Sequence, residues 1–167
     1  MKPKLNISIG FIFSIVFICY MNTIELGIIF FISVLLHEFG HYLMCILNGI
    51  KVHNITFNII GAHVGADRND LDSKSKNIRL LVYSGGIIFN LLLIVLSTLL
   101  YMPLLFVVNF IIILLSLLPM SGSDGNKILS EFVGSRTLSY ITKASNLIFL
   151  FLILYSIYLL FLPILSK

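Results

Sequence analysis

Two imidazoles and a carboxylate fall within five residues, at His37-Glu38-Phe39-Gly40-His41. On an α-helix, residues four apart share a face, so both imidazoles can reach one Zn²⁺. Glu38 lies beside the two ligands, where a carboxylate can take a proton from metal-bound water. Zinc lowers the pKa of that water to about 7, which makes hydroxide available at neutral pH. Hydrolysis of a peptide bond is the reaction this set serves best, with Glu38 as general base. A catalytic zinc takes about three protein ligands and keeps one position open. The helix supplies two, and Asp124, Glu131, Asp67, Asp70, Asp72, His53 and His63 are the candidates for the third. Asp124 stands out because it follows an apolar run directly and sits in the Gly-rich stretch Ser121-Gly122-Ser123-Asp124-Gly125.

The surroundings of the motif decide how it should be read. In a soluble helix an HExxH pattern often marks only a solvated face, but here it interrupts a run of Ile, Phe, Val and Leu from Ile24 to about Leu47. An ionisable side chain at the centre of a spanning helix costs about 2.5–3.5 kcal/mol on insertion scales. Such residues face a protein interior or a water-filled cavity and mark function. Composition agrees that the solvent is lipid: 59% of the 167 residues are apolar and 11% charged, and the mean hydropathy is +1.07. A soluble monomer does not expose so much apolar surface. The net charge of +4 is spread out, with no basic stripe to follow a phosphate backbone, so nucleic acid is excluded as a partner. Cys19 and Cys45 have neither metal-knuckle nor thioredoxin-like spacing and read as small apolar residues.

The expected fold is an all-α polytopic membrane protein with five to six transmembrane helices, in one domain over residues 1–167. Five apolar runs carry that expectation: Leu5 to Met21, Ile24 to Leu47, Leu80 to Leu100, Leu104 to Leu118, and Leu147 to Leu162, the last extending a helix from near Thr137. The first run lacks an A-x-A-like cleavage site and is read as a retained helix. With the N-terminus in the cytoplasm and five crossings, Lys2, Lys4, Lys51, Arg68, Lys74, Lys76, Arg79, Lys127, Arg136 and Lys143 lie inside and Lys167 outside. That bias sets the orientation in a multi-pass cell-membrane protein, with the active site toward the cytoplasm. After the HExxH helix, Ile55, Phe57 and Ile59 alternate with Thr56 and Asn58, which predicts a small cytoplasmic-side β-hairpin. The polar stretch from Asp67 to Lys76 is expected to be flexible. An exposed hairpin edge could pair with an extended substrate, which makes Ile55 and Phe57 candidate substrate contacts.

The residues resemble the site-2 protease family of intramembrane zinc metalloproteases. The family carries HExxH in one transmembrane helix and a downstream N-x-x-P…D-G segment whose Asp is the third ligand. Here that segment reads Ser116-Leu117-Leu118-Pro119-Met120-Ser121-Gly122-Ser123-Asp124-Gly125, with Pro119, Asp124 and Gly125 at the family spacing. Ser84-Gly85-Gly86-Ile87-Ile88-Phe89-Asn90 is similar to the family's G-P-x-x-N motif, and Gly49-Ile50-Lys51-Val52 to its loop after the HExxH helix. The resemblance covers a catalytic core at about 24–132 and implies that His37, His41 and Asp124 bind one catalytic zinc ion. It departs at Ser116, where the family has Asn, at Ile87, where Pro is usual, and at Ser121 and Gly122, where a second Pro is common. The family Asn is thought to hold the substrate backbone, so Ser116 and Asn90 are candidates for positioning substrate. Helix–helix hydrogen bonds are the plainer role for both.

No PDZ or CBS domain is expected, and within the family the chain looks most like the short sporulation branch that trims a pro-sigma factor. The implied partners are a membrane-protein or membrane-associated substrate, the lipid bilayer and a separate regulatory membrane protein. A metal- or proton-linked transporter would spread ionisable residues over several spans. A non-catalytic binding protein would be expected to have lost Glu38 or a ligand, and this chain keeps all four residues.

Overall fold

Helix α2 spans Ile24–Leu47 and starts on Thr23, whose Oγ1 accepts from the Leu26 N–H at 3.1 Å. Its end is set by Gly49, at φ +66. The Ile50 N–H donates to the Cys45 carbonyl at 2.9 Å and the Gly49 N–H to the Ile46 carbonyl at 3.1 Å, the paired bonds of a Schellman terminus. Ile50 then folds back into a buried cluster with Cys45, Val52, Val64, Leu71 and Val82. These contacts come from a computed structural model describing residues 4–21, 23–58 and 61–165. Ile59 of the expected hairpin pattern lies outside the described residues.

The chain divides into two compact units, Met1–Leu115 and Ser116–Lys167. The first contains strand β1 (Lys4–Ile7), helix α1 (Ile9–Met21), α2, strands β2 (Val52–Asn58) and β3 (Gly61–Ala66), and helices α3 (Arg68–Asp72), α4 (Lys76–Leu99) and most of α5 (Pro103–Leu117). The second holds the last residues of α5 and helices α6 (Asp124–Ser130) and α7 (Ser135–Leu165). Among the described residues, three helices are long and apolar enough to cross a membrane: Ile24–Leu47, Lys76–Leu99 and Ser135–Tyr155 of α7. At 13 and 15 residues, α1 and α5 are shorter than the roughly 20 residues of a full span.

The predicted hairpin forms, but as part of a three-stranded sheet in the order β1-β2-β3. β2 and β3 pair antiparallel, with Ile55 opposite Val64, and β1 pairs parallel to β2, with Leu5 opposite Ile55 and Ile7 opposite Phe57. The expected helix over Leu5 to Met21 is therefore corrected at its start. Lys4-Leu5-Asn6-Ile7 alternates polar and apolar, a strand period, and finds a partner some fifty residues away. The stretch from Asp67 is likewise ordered: Asp67 caps α3, its Oδ1 accepting from the Asp70 N–H at 3.1 Å.

Close approach of α2 and α4 fixes the centre of the first unit. A Cβ on Gly40 would collide with the Gly85 carbonyl, and one on Gly85 would lie 2.7 Å from the Gly40 carbonyl oxygen. The two backbones meet there without intervening side chains, as small residues allow between membrane helices. α5 joins α2 through a buried amide, Asn109, whose Nδ2 donates to Ser33 Oγ at 3.0 Å.

Candidate active site

His37, Glu38 and His41 are all buried on α2. The Nδ1–H of His41 donates to the Val82 carbonyl oxygen at 2.8 Å, and the Nδ1–H of His37 to Asn90 Oδ1 at 3.3 Å. A carbonyl oxygen can only accept, so these bonds place a proton on Nδ1 of each ring, and in the neutral imidazole Nε2 is then the nitrogen that carries the lone pair. The two Nε2 atoms lie 3.3 Å apart. Two zinc–nitrogen bonds of about 2.0–2.1 Å at a tetrahedral angle would separate their nitrogens by about 3.3–3.4 Å. Donor type, tautomer and spacing thus all fit a metal ion.

The other wall is one face of α4. Val82, Gly86 and Asn90 are four residues apart, so the two acceptors flank a glycine. A Cβ on Gly86 would stand 2.5 Å from both Nε2 atoms and 2.6 Å from His37 Cδ2. Glycine leaves open the space in front of the imidazoles. The Val82 carbonyl is the contribution that sequence reading missed, because a backbone acceptor carries no residue signature.

Asp124 belongs to the second unit, as the first residue of α6, and is buried there. Ser123 caps that helix, with Oγ accepting from the Asn126 N–H at 3.2 Å. Gly122 takes a positive φ of +87, and Gly125 packs so closely on the Leu117 carbonyl that a Cβ would collide with it. Lys127 Nζ donates to Asp124 Oδ1 at 3.2 Å. Ser116 is half-buried in the last turn of α5.

The remaining candidates lie elsewhere. His53 donates from Nε2 to Asp67 Oδ2 at 2.9 Å on the exposed side of the sheet, and the Lys51 N–H donates to Asp70 Oδ2 at 3.2 Å. Asp72 ends α3 and His63 is exposed on β3. Glu131 caps the C-terminal end of α6. Phe57 is buried against Phe11, with ring centroids 5.1 Å apart, and Ile55 also sits on the middle strand. The sheet's outer edges belong to β1 and β3.

Residues 25–104 match the family model of Peptidase family M50. That segment is similar to M50 metallopeptidases. It includes α2 with its HExxH, strands β2 and β3 and all of α4, and so both elements that build the histidine pair. In structure the chain is similar to the site-2 protease from Methanocaldococcus jannaschii, with a TM-score of 0.68 at 23% identity, over 93% of this chain and 82% of that one. No curated protein matches it in sequence. The M50 match and the apolar helices point to a membrane-associated metallopeptidase.

Proposed function

We propose that the protein is an intramembrane zinc metalloendopeptidase, a single catalytic domain that cuts a membrane-embedded or membrane-proximal segment of a protein substrate near the cytoplasmic side. The observation that carries the reading is the histidine pair, buried in an apolar helix with both Nε2 lone pairs presented to one point. His37, His41 and Asp124 would hold the metal, a donor group of a kind that could bind one ion. When bound, zinc would supply Lewis-acid polarisation of the scissile carbonyl and an acidified water. Glu38 accepts the proton of the attacking water and passes it to the leaving amine. Val82 and Asn90 hold the two rings, and burial excludes bulk water from the carboxylate and imidazoles.

Charge distribution supports a multi-pass arrangement of about five crossings with the N-terminus inside. Substrate amides locked in helical i→i−4 bonds must be freed before attack, and an extended segment could then add to the sheet. The outer edge of β3 suits this better than Ile55 and Phe57, whose strand is paired on both sides. Ser116 remains a candidate for holding the substrate backbone. Precursors of sigma factors, anti-sigma factors, signal-peptide remnants and peptide pheromones are the substrate classes to search, and a separate membrane protein would regulate the cut.

The test compares membrane-protein fragments in native cells carrying wild type or Glu38→Gln. Specific membrane-proximal fragments should vanish and their precursors accumulate in the variant. Matching fragment profiles alongside a deletion phenotype would instead favour transport or partner binding.

A further inference from the structure

Asn90 is fully buried on α4, yet only half of its amide is used. Its Oδ1 accepts from His37 Nδ1, while its Nδ2 has no acceptor among the described residues. Stability alone would favour a leucine of similar volume at such a site, since a buried amine without an acceptor is costly. Substrate holding also suits the position poorly, because Asn90 sits behind His37, at the ring nitrogen that does not face the metal position. Its one hydrogen bond acts on a ligand.

We propose that Asn90 is a positioning residue for the metal, acting through His37. Its acceptor oxygen keeps the His37 proton on Nδ1, fixes the ring's rotation, and so keeps the Nε2 lone pair directed toward that of His41. Val82 does the same for His41 from one turn below Gly86, but with a backbone carbonyl that no substitution removes. Asn90 is therefore the adjustable half of the pair of acceptors on α4. Partners that orient metal-bound histidines typically affect metal affinity by about 10–100-fold.

This inference rests on the metalloprotease reading, and the experiment separates the two. Full-length wild type, Asn90→Leu, Asn90→Asp and His37→Ala are purified in detergent and titrated with Co²⁺ against a competing chelator. Affinity is read from the visible absorption of the bound ion. Asn90→Leu should bind Co²⁺ about 10–100-fold more weakly, with an altered spectrum and an unchanged helical circular dichroism. Asn90→Asp, which keeps an acceptor at the same reach, should stay within a few-fold of wild type. Tight binding by both wild type and Asn90→Leu overturns the inference alone. Wild type that binds no Co²⁺ overturns the metal reading and this inference with it. Should the leucine variant not fold, Asn90→Ser, too short to reach Nδ1, replaces it, and equal affinities for the Asp and Ser variants overturn the proposal.

Discussion

The Nε2 atoms of His37 and His41 stand 3.3 Å apart, and the Nδ1 proton of each ring is already committed to an acceptor on α4. That spacing suits one cation bound by both rings. Metal binding should therefore stabilise the fold by mass action, by about 2.7 kcal/mol when free zinc is at 100 times its Kd. Thermal unfolding in detergent should show a higher Tm with zinc than with chelator, and His41→Ala should remove the difference. An equal Tm in both conditions for the unsubstituted chain would show that the pair is not a metal site.

Gly86 gives a sharper probe of the same place. A methyl there would lie 2.5 Å from each Nε2, so either the rings turn away or α4 gives up its close contact at Gly85 and Gly40, and both outcomes disturb the histidine pair. Gly86→Ala should lower zinc content to well below one ion per chain and reduce proteolysis by at least 100-fold, the scale of a lost general base. Elemental analysis of the purified variant checks this. Full zinc occupancy would mean the imidazoles have more freedom than their hydrogen bonds indicate.

Much of this site is legible in the amino-acid sequence. The HExxH spacing placed both histidines on one helix face, and the observed α2 has the bounds read from its apolar run. The family resemblance put Gly49 in the loop after that helix, and the period-2 alternation at Ile55 and Phe57 marked a strand. What escaped was set by distant or backbone partners. Leu5 to Ile7 looked like the start of a helix because the run beyond it is apolar, although the alternation from Lys4 is a strand's. Val82 acts through its carbonyl oxygen, which any residue possesses. Asn109 carried a signal that went unused: a lone amide in an apolar run, buried here against Ser33. The Asp67-x-x-Asp70 pattern likewise announced the cap on α3.

If Asp124 is the third ligand, metal binding and its ion pair with Lys127 should separate on mutation. Asp124→Asn removes the charge and halves the acceptor capacity, and metal affinity should fall by more than the roughly 100-fold expected for loss of an orienting partner. Lys127→Ala removes only a partly exposed i,i+3 ion pair. Such pairs contribute about 0–1 kcal/mol, so fold stability should barely change and zinc should be retained. Competition with a chelator measures both. A variant at Asp124 with undiminished affinity would move the third ligand to another residue.

Outside the membrane-spanning helices, Asp67 makes the first unit sensitive to acid. The Asp70 N–H and the His53 ring hold its carboxyl below the ordinary value of 3.8. The folded state thus favours the ionised form, and the stabilisation is complete above that ordinary value. It is lost as pH falls through the lowered one, when protonation weakens Oδ1 as an acceptor for the first turn of α3. Amide exchange at Asp70 should therefore show protection that collapses at pH values below about 3.8, the ordinary carboxyl value. Asp67→Asn keeps a neutral acceptor in place, so it should flatten that dependence while leaving α3 formed at neutral pH. A wild-type profile that stays flat down to strongly acidic pH would mean that the cap survives protonation and that the carboxylate charge is not what holds this corner.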